Sequence, residues 1–154
     1  MSARDKKNAN VLVNGHPEVQ AISIKDDTTV VTVGTKSIKV WDPKQHTVLR
    51  QSSFESTLSC VSCNPKADQI AIGFQGPRSI SDKSFVILKG DDLTVMHHGC
   101  NSQETLTVCK FSSDGTLLAF GSADAAIYVY QLDGHGTPQL LSKCRGHTQA
   151  LCLV

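Results

Sequence analysis

Three stretches of this chain align on one another without a gap: VQAISIKDDTTVVTVG over 19–34, LSCVSCNPKADQIAIG over 58–73 and LTVCKFSSDGTLLAFG over 106–121. A repeat of this kind decides the architecture, because a unit that cannot bury its apolar face alone must stack on others like it. In the first half of each stretch the apolar columns are Val19/Leu58/Leu106, Ile22/Val61/Cys109 and Ile24/Cys63/Phe111. In the second half, aligned on Gly34, Gly73 and Gly121, they are Val31/Ile70/Leu118 and Val33/Ile72/Phe120. Apolar and polar residues alternate with the period of a strand, so each stretch is expected to be a hairpin. Its turn is polar: Lys25-Asp26-Asp27, Asn64-Pro65-Lys66 and Ser112-Ser113-Asp114-Gly115. Asp-Gly between two apolar runs is a strong turn signal, since glycine adopts φ > 0 without a steric penalty. A third strand is expected at 38–41, 85–88 and 127–130, and a weaker fourth at 47–51, 93–97 and 139–144. No segment carries a helical period.

These units resemble WD40 blades. The residues that carry the resemblance are Gly15-His16 ahead of the first strand, Trp41-Asp42 closing the third, and Gly146-His147 opening a fourth repeat. The third repeat adds Asp114-Gly115, then Gly121-Ser122-Ala123-Asp124, then Ile127-Tyr128-Val129-Tyr130, with Tyr130 where the family has Trp. The resemblance covers about residues 11–154, after a polar tail of residues 1–10. It implies an all-β fold, a partial WD40 β-propeller: three four-stranded antiparallel blades plus the first strand of a fourth. The blades would span about 15–54, 55–98 and 99–145, with the next beginning at 146–154.

In the family the His of Gly-His, a Ser or Thr, an Asp and the Trp form a hydrogen-bonded tetrad within one blade. The first repeat has His16 and Trp41, but its 34–37 loop is too short to include the Asp. The second has Leu88 in the Trp column and lacks Gly-His; the third keeps Ser122 and Asp124 with only Gly99-Cys100 near the Gly-His place. Stability is therefore expected to rest on the apolar columns, each buried Leu- or Phe-sized side chain contributing about 1.5–3 kcal/mol.

A narrower resemblance, over 84–147, is to the echinoderm microtubule-associated protein-like family. It rests on the Gly-Ser-x-Asp-x-x-Ile-Tyr-x-Tyr run and on Leu141-Ser142-Lys143-Cys144-Arg145-Gly146-His147. In that family tandem propellers bind tubulin, which implies a cytoplasmic, cytoskeletal scaffold, with cilium or flagellum as one setting. A general WD40 adaptor in ubiquitin ligation, trafficking or signalling is the alternative. The family's N-terminal coiled coil and hydrophobic motif region have no counterpart in these residues, and 75–83 reads as an insertion.

Composition removes other classes. Hydrophobic residues make up 40% and charged residues 19%, the balance of a folded globular chain. No apolar run approaches the roughly 20 residues of a membrane span, and the first residues lack the apolar core of a signal peptide. With 15 Lys and Arg against 14 Asp and Glu, the basic cluster is confined to Arg4, Lys6 and Lys7 in the tail, so no nucleic-acid or membrane partner is expected. Cys60 and Cys63 form a C-x-x-C pair with His97, His98 and Cys100 downstream, which raises a metal site. Residues three apart on a strand point to opposite faces, which favours structural thiols and no metal or cofactor. No Gly-x-Ser-x-Gly elbow or phosphate-binding loop is present, so a non-catalytic chain is expected.

The longest loops are 75–83 and 98–104. In WD40 geometry they emerge on one face, so Arg78, Lys83, His97, His98 and Gln103 are candidate partner-binding residues; the competing reading is that insertions are tolerated there. Three blades and a strand cannot close a ring. The chain is thus expected to be part of a longer protein, or to be completed by propeller blades of another chain.

Overall fold

The computed structural model describes residues 18–79, 82–133, 135 and 137–145. The tail, His16, Gly146, His147 and the start of the fourth repeat lie outside them. Among the described residues twelve strands follow one another. They are β1 (Val19–Asp26), β2 (Thr29–Gly34), β3 (Ser37–Asp42) and β4 (Thr47–Ser53) in blade one. Blade two holds β5 (Leu58–Cys63), β6 (Gln69–Phe74), β7 (Phe85–Lys89) and β8 (Val95–Gly99). Blade three holds β9 (Leu106–Phe111), β10 (Leu117–Ser122), β11 (Ala126–Leu132) and β12 (Pro138–Arg145). Each set of four is one antiparallel sheet in sequence order, and no described residue is helical. The sheets stack through their first strands, β1 on β5 and β5 on β9. This is the architecture of a partial propeller.

The turns form where the sequence places short polar acceptors. Asp26 Oδ1 accepts from the Thr28 amide at 2.8 Å, Asp92 Oδ1 from Thr94 at 3.0 Å and Asp114 Oδ1 from Thr116 at 3.0 Å. Each is an Asx turn, in which the side chain holds the amide two residues on and so mimics a backbone turn. Gly115 completes the third with φ +76°, a conformation that side chains disfavour.

The strand pairing corrects one alignment drawn from the sequence. Ile24 pairs with Val30, whereas the matching partners in the other blades are Cys63 with Ile70 and Phe111 with Leu118. The first hairpin is thus one residue shorter than the other two. The true columns in the second strand are Val30/Ile70/Leu118 and Thr32/Ile72/Phe120, in place of those starting at Val31 and Val33. Third-strand pairing agrees, with Val30 opposite Trp41, Ile70 opposite Leu88 and Leu118 opposite Tyr130. A slip of one residue turns every side chain to the other face of the sheet. Val31 and Val33 accordingly point toward the following blade, and Ile70 and Ile72 toward the preceding one.

Two cores result, one at each junction. Between blades one and two, Val31, Val33, Ile38 and Val40 meet Val61, Ile70, Ile72, Val86 and Leu88. Between blades two and three, Cys60, Ala71, Phe85 and Ile87 meet Phe111, Leu118, Phe120, Tyr128 and Tyr130. The Phe85 ring lies 4.6 Å from Phe120 and 4.8 Å from Tyr130, inside the range of favourable aromatic pairs. Cys60 belongs to the second core and Cys63 packs on the first, so the C-x-x-C pair does divide between faces.

One expectation fails in blade one. Val19, Ile22 and Ile24 fill columns whose members in the other blades are largely buried, yet they are 57%, 63% and 72% exposed. Ile22 and Ile24 lie on the side of the sheet away from blade two, where no described blade packs against them.

Candidate interaction surface

The two long loops are joined to each other by the backbone. The Arg78 amide donates to the Gln103 carbonyl at 2.8 Å, and the Gly76 amide to Thr105 Oγ1 at 2.8 Å. Gly76 sits so close that a Cβ there would lie 2.6 Å from the Gln103 carbonyl oxygen. Arg78 locks the arrangement. Its guanidinium donates to the carbonyls of Ser102 at 2.8 Å and Glu104 at 3.0 Å, and to the Phe74 carbonyl. A planar fork of fixed donors suits this task, since several carbonyls are met at once.

Of the five candidate binding residues, the structure therefore brings Arg78 and Gln103 together, with Arg78 occupied by backbone carbonyls and Gln103 exposed. Lys83 lies in the neighbouring groove of about 420 Å³, lined also by Phe54, Glu55, Phe74, Asp82 and Val95. His97 and His98 do not join that surface. The sequence reading ended the fourth strand at His97 and put His98 in a loop, but both belong to β8, where His97 pairs with Ile87 and His98 with Val86. Adjacent strand residues face opposite sides, so the two imidazoles diverge.

Beside Gln103 a second cleft of about 480 Å³ is lined by Glu104, Asp124, Tyr128, Lys143 and Arg145. Tyr128 donates its hydroxyl to Asp124 Oδ2 at 2.6 Å, and Lys143 Nζ lies 5.0 Å from the centre of the Tyr128 ring. Partial burial pushes the Asp124 carboxyl up, but the bonds from Tyr128, Ser122 and the Ala126 amide together hold it below the usual range. The cleft thus presents both signs of charge on a framework of bonded side chains.

The tetrad residues have other roles here. In blade one Trp41 Nε1 donates to Thr32 Oγ1 at 2.8 Å, a buried bond. Thr32 was missed from sequence because the misaligned column put Val33 in its place. Asp42 instead holds the β3–β4 turn, accepting from the Lys44 amide at 2.9 Å. In blade three Ser122 meets the buried Ser102 at 3.2 Å, and Tyr130 donates to Asn101 Oδ1 at 2.8 Å. Ser102 and Asn101 follow the Gly99-Cys100 pair that sequence placed near Gly-His, and they supply the polar partners that no His provides. Asp114 and Gly115 form the hairpin turn described above.

The family model for "WD domain, G-beta repeat" matches residues 92–131, from the end of blade two through β11. The chain carries a WD40 repeat. Relatives of this WD40 chain are echinoderm microtubule-associated protein-like proteins. It is 31% identical to the rat echinoderm microtubule-associated protein-like 2 over 116 residues, covering 73% of this chain and 17% of that protein. It is 29% identical to the mouse like-2 protein over 143 residues, 90% of this chain and 21% of that one. With the human like-3 protein the identity is 25% over 114 residues, 73% of this chain and 12% of the relative. The WD40 chain therefore spans a small part of these relatives' length. Among solved structures, the computationally designed Ika4 protein superposes with a TM-score of 0.73 at 22% identity, over 92% of this chain and 82% of that one, a likeness of fold.

Among the described residues no group of three or more His, Cys, Asp or Glu side chains is placed to hold a metal ion. The described residues contain no helix long and apolar enough to cross a membrane.

Proposed function

We propose that this chain is a non-catalytic protein-binding scaffold of the microtubule cytoskeleton, working in the cytoplasm on cytoskeletal structures. The observation that carries the reading is the similarity, over most of the chain, to proteins named as microtubule-associated. The geometry supports a binding role. Loops 75–79 and 100–105 are zipped together on the stack of blades, and recognition residues on such loops need little ordering when a partner arrives. Lys83, Gln103, Glu104, Lys143 and Arg145 are exposed there and offer both signs of charge to a folded protein surface.

Lysine cross-linking of the chain mixed with polymerised tubulin, read by mass spectrometry, tests the proposal. Cross-links from Lys83 or Lys143 to tubulin support it. Cross-links confined to the chain itself count against it and leave the general WD40 adaptor as the reading.

A further inference from the structure

The two junctions inside the chain follow one pattern. On the following face of blade one, Ser23 Oγ accepts the Cys63 amide of blade two at 3.2 Å. On the following face of blade two, Ser62 Oγ accepts the Phe111 amide of blade three at 3.3 Å. Ser23 pairs with Val31 and Ser62 with Ala71, so the two serines share a column. Cys63 and Phe111 share the column of Ile24. Around each bond, apolar side chains of one blade's preceding face are buried against the following face of its neighbour.

Blade one offers the same preceding face with nothing described upon it. Ile22 stands in the column of Val61 and Cys109, and Ile24 in that of Cys63 and Phe111. Val61 is 7% and Phe111 6% exposed, against 63% and 72% for Ile22 and Ile24. At the other end of the stack, blade three offers a following face. There Val108 pairs with Gly121, Lys110 with Ala119, Ile127 with Gly121 and Val129 with Ala119. These match Cys60, Ser62, Ala71, Gly73, Phe85 and Ile87 of blade two column by column. Apolar or small residues recur at every place except one, where Lys110 replaces the serine.

We infer that the preceding face of blade one, centred on Ile22 and Ile24, seats the following face of blade three from a second copy of this chain, head to tail. The contact continues the two junctions already formed within the chain, using the same columns. Blades one and three stand at opposite ends of the described stack, so within these residues the matching face comes from another copy. Two copies joined at both ends hold six of the described blades, inside the four to eight that closed propellers contain. The Lys110 stem can lie along the apolar surface with its ammonium in water, but it supplies no acceptor for the Ile24 amide.

Light scattering on the purified full chain, across the micromolar range, tests this. The expected mass is twice 16.6 kDa. Ile24→Glu should return it to one chain while the far-ultraviolet circular dichroism stays that of the parent, because the side chain is exposed. Lys110→Ser restores the acceptor at both junctions and should tighten association about 30-fold, the worth of two hydrogen bonds. A single-chain mass for the parent overturns the inference, as does a dimer that neither substitution changes. If Ile24→Glu loses its fold, the direction of the Lys110→Ser effect decides.

Discussion

Asn64 of blade two donates from Nδ2 to the Gly115 carbonyl of blade three at 3.2 Å, tying the turn of one hairpin to the turn of the next. The same side chain donates to Gln69 Oε1 at 2.9 Å and accepts the Lys66 amide at 2.9 Å, and it is buried. Blade order is thus fixed by polar bonds at the hairpin ends as well as by apolar columns between the sheets.

Asn64→Ala removes all three bonds, taking a donor from the buried Gln69 side chain and a partner from the Gly115 carbonyl and the Lys66 amide. Urea unfolding should show a loss of about 1–3 kcal/mol, with the dependence on denaturant unchanged. A loss below the experimental error would mean that water replaces the side chain at no cost.

Phe120 is at the centre of the second junction, packed on Phe85 and with Tyr130 5.9 Å away. Phe120→Ala opens a cavity between two sheets that cannot collapse onto it without moving a whole blade. The expected loss is about 3–5 kcal/mol by the same measurement, enough to unfold a chain of ordinary stability.

Arg78→Lys keeps the charge but not the fork. Its single ammonium cannot meet the carbonyls of Phe74, Ser102 and Glu104 together. Hydrogen exchange should quicken at the amides of Gly76 and Arg78, which the joined loops hold, while the β5–β6 ladder keeps its protection. Uniform quickening across both would show that the clamp supports the blades and not the loops.

Stability should fall in acid with a defined sign. Bonds from the Ser112 hydroxyl and from the Thr116 amide and hydroxyl hold the Asp114 carboxyl at about 2, down from 3.8. Asp26, Asp92 and Asp133 are lowered by the same kind of turn. A depressed carboxyl favours the folded state above its unfolded value, and that contribution disappears as pH falls through the folded one. The midpoint of urea unfolding should therefore be level near neutrality and decline from about pH 5 toward pH 2. Asp114→Asn should flatten part of the decline.

Much of the fold was legible in the sequence, because strand alternation, the Asp-containing turns and the apolar columns all repeat. Ile70, Leu118, Leu88 and Tyr130 could be placed from pattern alone. Blade one was misread for a physical reason: its hairpin is one residue shorter, and with Gly34 set against Gly73 the second strand showed its wrong face. That error hid the Trp41–Thr32 bond, whereas Ile22 and Ile24 stand in the columns read from the sequence and are exposed because no described blade packs on that side. The loop candidates were less legible still. Nothing local in Gln75-Gly76-Pro77-Arg78 tells that its arginine will reach carbonyls some 25 residues away, which only the stacking of blades two and three brings near. His98 looked like loop because β8 is short and polar.

Co-sedimentation of the purified chain with taxol-stabilised microtubules tests the central functional claim most directly. The account predicts saturable recovery in the pellet at low salt, weakened by substitution of Lys83 and Lys143 to Glu together. Recovery no greater than in the tubulin-free control would contradict it.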